Sequence, residues 1–204
     1  SNLDCVICSH DVVLVDSRSK IVRPSFKNYK KEKSDLKDLL SCLPFFAHSS
    51  KMFRNVFNDN FWARFDRNAI DAEVHVAQVR YGRIYHINER LGAYRSGTGV
   101  SNGGVEGVNP TLLKGSERIY ESLLEDSDLN PDFVRNCYSN SKFRQAYQAA
   151  CKGDREGVVR LIDQSVKISR VSLFQRVFFL LSKYPSLLVM LCKFRARLRG
   201  YDKV

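Results

Sequence analysis

The stretch NAIDAEVHVAQVRYGRIYHINERLGAYRSGTGVSNGG, residues 68–104, decides how the first half of the chain is read. Ile70, Val74, Ala77 and Tyr81 recur at helical spacing, which predicts a helix after Asn68 with these side chains as its inner stripe and Asp71 in its first turn. Gly82 reads as the C-terminal cap of that helix. Arg83-Ile-Tyr-His-Ile87 reads as a strand, Asn88-Glu89-Arg90 as a turn, and Leu91 to Arg95 as a short extended return. A Gly/Ser-rich run, 96–104, then follows Tyr94-Arg95 directly. Loops hung from rigid strands are where binding and catalysis concentrate, so the question raised is what Arg95 meets.

Upstream, DCVIC at 4–8 and VVLV at 12–15 are apolar and β-branched. With the polar turn Asp16-Ser-Arg-Ser-Lys20 and then Ile21-Val22, they read as strand, strand, turn, strand. Residues 26–35 are a basic loop, and Ser34 reads as the cap of a short helix from Asp35 to Leu40. LPFFAHSSKMFRNVF, 43–57, is apolar with His48-Ser49-Ser50 at a strand end or tight loop. Cys5, Cys8 and His10 have the look of a zinc half-site, but a second close pair is wanting. Cys5 and Cys8 are read as small apolar residues in a buried strand.

Downstream of the loop the pattern turns helical: 111–127, 131–154, 155–167 and two further helices around Pro185. No repeat of 20–50 residues is visible. The chain of 204 residues carries a net charge of +11, with 44% hydrophobic and 27% charged residues. From Lys167 to Val204 there are nine Lys or Arg against one Asp. So about three quarters of the excess lies in that last fifth, which favours a polyanion or an anionic membrane surface as neighbour. No apolar run is long enough to span a bilayer and no secretory signal is visible. The six cysteines therefore read as free thiols in a reducing compartment, which predicts a cytoplasmic protein, peripheral at the inner face of the membrane.

HSSKMFRN at 48–55, followed by NAIDAEVHVAQVRYGRIYHINERLGAYR, resembles the second half of family 2 glycosyltransferases with the GT-A fold. Those enzymes show a serine-rich segment with a hydrophobe and an Arg, then an Asp opening a helix, A-x-x-G, a strand and a closing Y-R. Here these are Ser49-Ser50, Met52-Phe53-Arg54, Asp71, Ala77 to Gly82, Ile84 to Ile87, and Tyr94-Arg95. The match covers residues 3–105, and the helical remainder looks like tails of bacterial members. The fold expected is α/β: a partial GT-A-like sheet, the acceptor-side half of a nucleotide-diphospho-sugar transferase, over 1–105. A basic, amphipathic, all-helical tail follows over 106–204.

An inverting sugar transfer needs a carboxylate to take the acceptor hydroxyl proton. By the resemblance Asp71 is that base, and the positive end of its helix favours the carboxylate. The bland alternative is that Asp71 serves the first turn of its own helix. Arg95 is matched to the diphosphate of the leaving group, for which a planar guanidinium is suited; the alternative is a structural pair with Glu89 or Asp71. Ser49, Ser50 and Arg54 match the region under the acceptor, with Tyr94 beside Arg95. Trp62 and Phe65 read as core in preference to a sugar platform, and His75 as a core or partner residue. Many relatives place a His two residues after the closing Arg; Gly97 stands there in this chain.

The partners implied are a nucleotide-sugar donor and a glycan or lipid-linked acceptor in polysaccharide biosynthesis. Peripheral membrane contact through 168–204 is also expected, whereas nucleic acid is not favoured. A divalent cation, Mg or Mn, is expected in the complete enzyme, but its acidic D-x-D-like motif and the donor-binding half are expected outside this chain. The letters DND at 58–60 read as a turn. The alternative function is a noncatalytic basic module binding an anionic membrane surface or nucleic acid.

Overall fold

The computed structural model describes residues 2–95, 109–125, 128–169 and 172–198. The Gly/Ser run 96–104, with Gly97, lies outside them. The chain divides into two compact units, Ser1–Val100 and Ser101–Lys203, the first mixed α/β and the second helical.

The first unit is built on β1 (Cys5–Val15), which pairs in parallel along its length with β5 (Arg83–Arg95). β2 (Ile21–Arg23) and β4 (Lys51–Phe53) both pair antiparallel with β1, and β3 (Lys33–Ser34) pairs antiparallel with β5. Two expectations are corrected here. Ser9, His10 and Asp11 do not break β1 in two, because their polar groups are satisfied within the sheet. Ser9 Oγ meets His86 Nδ1 at 2.9 Å, and Asp11 Oδ1 accepts the Val12 and Phe26 N–H groups at 2.8 and 3.2 Å. Nor does Asn88-Glu89-Arg90 turn the chain. β5 runs on, and the extra residues are absorbed as register shifts, with His10 opposite Ile87, Asp11 opposite Arg90 and Val12 opposite Gly92. Such bulges bend a strand without ending it.

Helix α1 (Leu36–Ser41) starts at Asp35, not Ser34: the Asp35 and Asp38 side chains accept each other's backbone N–H at 2.9 and 3.0 Å. Ser34 is the buried last residue of β3 and its hydroxyl meets the Tyr29 hydroxyl at 2.7 Å. Asn58 caps the short α2 (Asp59–Trp62), which replaces the turn expected at 58–60. Helix α3 (Asp71–Val79) is where expected but rotated: His75, Val76, Gln78 and Val79 are its buried side chains, while Tyr81 is exposed. Its last turn ends on Arg80 in a helical conformation, so Gly82 is not the cap. A Cβ on Gly82 would lie 2.8 Å from both the Asp4 carbonyl and Val6 Cγ1, so glycine is required for β5 to start against β1. The core between sheet and helices holds Ile7, Leu14, Leu39, Phe45, Phe46 and Ile84.

The second unit comprises α4 (Pro110–Glu125), α5 (Pro131–Lys152), α6 (Arg155–Ile168), α7 (Leu173–Leu181) and α8 (Pro185–Leu198). Punctuation is local. Asn130 caps α5 with Pro131 at its first position, Gly153 closes it at φ +89°, and Asp154 accepts the Gly157 N–H to start α6. Ala146, Ala149, Val158, Leu161, Ile162 and Leu188 centre its core. Three buried polar side chains clamp α5, α6 and α7 together. Gln175 Nε2 donates to Ser139 Oγ and Ser165 Oγ at 2.9 and 3.0 Å, and Ser165 Oγ donates to the Ser139 carbonyl at 2.8 Å. Lys142, buried on α5, pairs with Glu117 of α4.

Candidate functional site

One group of polar residues in the first unit gathers along α3: His48, Lys51, Asp71, His75 and Gln78. The apolar run before β4 turns through a 3-10 segment, His48–Ser50, tied by the Ser50 N–H and Ser50 Oγ, both donating to the Ala47 carbonyl at 3.0 and 2.8 Å. That turn points His48 at α3. His48 Nδ1 lies 3.5 Å from Asp71 Oδ1 and 3.1 Å from His75 Nε2, one helical turn further along. As a donor it serves one of the two at a time, so the pair of contacts links a solvent-open carboxylate to a buried imidazole.

Asp71 itself is open: its side chain is 67% exposed. The first turn of α3 does not need it, because Glu73 Oε2 accepts the Ile70 N–H at 2.8 Å. His75 is the reverse, 1% exposed, with the Phe46 ring 4.7 Å away and the His48 ring stacked at 5.3 Å. Burial, with Lys51 and His48 nearby, pushes its pKa far below the ordinary value, so it is neutral. Its Nδ1 has no hydrogen-bond partner among the described residues. Lys51, on β4, donates to Gln78 Oε1 at 2.9 Å. Burial lowers its pKa to about 8, against the opposing pull of Asp71. The result is one exposed carboxylate backed by two imidazoles and a half-buried amine.

The other anticipated site residues have different surroundings. Ser49 is exposed on the His48 turn, and Ser50 is buried with its hydroxyl on its own turn. Arg54 donates from Nε to the Cys5 carbonyl at 2.6 Å and from Nη2 to the Asn2 carbonyl at 3.1 Å, fastening the segment before β1. Arg95 donates from Nη1 to the Asp16 and Ser17 carbonyls at 2.9 and 3.0 Å and from Nη2 to Ser19 Oγ at 3.2 Å. So what Arg95 meets here is the β1–β2 turn, and neither Glu89 nor Asp71. Tyr94 packs edge-on to Phe26 at 5.7 Å. Lys51 pairs with Ser9 and Arg95 with Val15, six residues apart on β1, or roughly 20 Å at strand rise. The structure therefore brings Asp71 and the Ser49–Ser50 turn together, and leaves Tyr94 and Arg95 at the other end of the strand pair.

Trp62 and Phe65 belong to an aromatic cluster with Phe53, Phe57, Phe61 and Tyr81, half of it facing solvent. Cys5 is buried in β1 and Cys8 half-buried, both as free thiols. Among the described residues no three His, Cys, Asp or Glu side chains come together as a metal site.

The His48–His75 contact and the Lys51–Gln78 pair were not foreseen from the sequence. The only signal was spacing: His75 stands four residues after Asp71, on the same helical face. His48 and Lys51 join them across a separation of 27 residues, which no local pattern encodes.

The chain is thus a mixed α/β unit with an exposed helix-start carboxylate, followed by a helical unit. Comparison with protein-family models, with curated proteins and with solved structures finds no match for it.

Proposed function

We propose that this chain is the acceptor-side part of an inverting, nucleotide-sugar-dependent glycosyltransferase with a GT-A-like fold, and that Asp71 is its general base. The observation that carries this reading is the open Asp71 carboxylate at the start of α3, with the His48 ring at 3.5 Å and the Ser49–Ser50 turn alongside. A carboxylate spared from capping its own helix is free to meet an acceptor hydroxyl. In the reaction Asp71 takes the hydroxyl proton as that oxygen bonds to the anomeric carbon from the face opposite the leaving group. The carbon–oxygen bond to the phosphate breaks, and its electron pair leaves with the nucleoside diphosphate. A His48 N–H pointing at one carboxylate oxygen would keep the other turned to the acceptor. The acceptor is a glycan or a lipid-linked sugar. No step is assigned to a divalent cation.

The test is Asp71→Asn in the whole gene product, read as release of nucleoside diphosphate from a panel of UDP-, GDP- and TDP-sugars. The amide cannot take the proton, so turnover falls by about 100- to 10,000-fold while the circular dichroism spectrum is unchanged. Near-normal turnover in the folded variant removes Asp71 as the base. Absence of transfer by the parent protein with any donor removes the reading altogether.

A further inference from the structure

The last two helices each carry an apolar stripe that the core does not use. α8 turns Leu188, Val189, Cys192 and Ala196 inward. At 3.6 residues per turn that occupies one face. Leu187, Met190, Leu191, Phe194 and Leu198 recur at the same spacing on the opposite side, all exposed, Phe194 at 60%. α7 repeats the arrangement: Gln175 and Phe178 are buried, while Leu173, Val177 and Leu180, at helical spacing, face out. These orientations are fixed. The Gln175 amide is held by the Ser139 and Ser165 hydroxyls, and the Arg195 guanidinium lies over the Phe174 ring at 5.3 Å, tying α8 to α7. Phe178 and Leu188 rest on the same cluster, so both outer stripes point away from it.

Along the sequence of these two helices the charge has one sign: 172–198 holds five Lys or Arg, and 164–201 contains no Asp or Glu. Glu156 and Asp163 of α6 line a pocket with Pro185, in company with Arg155 and Arg160. A partner helix would accept the apolar stripe equally well; the uniform positive charge selects an anionic surface. Among the described residues no helix is long and apolar enough to cross a membrane, so the contact lies in the plane of the interface.

We propose that α7 and α8 form a docking face for an anionic lipid bilayer. Leu180, Leu191 and Phe194 enter the boundary between headgroups and acyl chains, and the exposed Arg176 and Lys183 meet lipid phosphates. This docking face stands whether or not Asp71 is a base.

The experiment is co-sedimentation of the full chain with phosphatidylcholine vesicles and with phosphatidylcholine–phosphatidylglycerol vesicles, at low and high salt. The chain sediments with the mixed vesicles, much less with the neutral ones, and a fraction survives high salt because apolar insertion is not screened. Arg176→Gln and Lys183→Gln each weaken low-salt binding about fivefold. Leu191→Ser combined with Phe194→Ser removes the salt-resistant fraction, and unchanged circular dichroism keeps a folding defect apart from a docking one. Five results would overturn the proposal. Four are a chain left in the supernatant with anionic vesicles, equal binding to neutral ones, binding indifferent to both sets of substitutions, or a dimer in sedimentation equilibrium that Phe194→Ser dissolves while vesicles are ignored. The fifth is tight binding to single-stranded nucleic acid without vesicle binding.

Discussion

His75 turns a buried contact into a pH dependence. Its folded pKa is depressed by burial from an ordinary value near 6.5. The unfolded chain therefore takes up a proton below about pH 6.5 that the folded chain refuses, and stability falls as pH drops through that value. His75→Phe keeps a ring beside Phe46 and abolishes the titration. Urea unfolding at stepped pH should show the parent protein losing stability relative to the variant below about pH 6.5; parallel curves would mean that the folded chain protonates His75 as readily as the unfolded chain does. At this scale Asp71 was legible, because a carboxylate in a helix's first turn is a local pattern. The surroundings of Arg95 were not. Its guanidinium meets carbonyls of a turn 78 and 79 residues upstream, a contact made by the parallel pairing of β1 with β5 and by nothing near Arg95 in sequence.

The elements show the same division. The helices of the second unit and the start of α3 could be read from caps and periodicity, since Asn130, Pro131, Gly153 and Asp154 act within one turn. Strand continuity could not. Asp11 and Asn88 look like breakers, yet Asp11 binds two backbone N–H groups, and the Asn88 side chain donates to the Lys30 carbonyl at 3.1 Å. The rotation of α3 is not visible in the spacing because Tyr81 falls on the expected inner stripe, whereas its ring packs beside Phe57 and Phe61 at a surface. Gly82 carries the sharpest expectation at this level. Gly82→Ala drives a methyl group into the Asp4 carbonyl and Val6, and β5 must shift away from β1. The loss should be about 1–3 kcal/mol, seen as a lower urea midpoint. An unchanged midpoint would show that glycine is dispensable there.

On the scale of the whole molecule, each unit carries its own core, and the probes divide with them. Trp62, the one tryptophan of the chain, lies in the first unit, while most of the helix lies in the second. Ile84→Ala removes a fully buried side chain from the first core, at a cost of about 2–5 kcal/mol. The tryptophan fluorescence transition in urea should move to lower denaturant, while the circular dichroism transition at the helix wavelength moves much less. Coincident shifts would mean that the two cores melt as one. β1 also sets a timetable for synthesis. Its first residue, Cys5, is paired with Arg83, 78 positions later. At about 5–20 residues per second on the ribosome, the strand waits roughly 4–16 seconds for its main partner, with β2 and β4 covering only parts of its other edge. During that interval an edge rich in Val, Ile and Leu stands open, so yield in a cell should respond to holdase chaperones and to slowed translation between β1 and β5 more than to anything done to the helical unit.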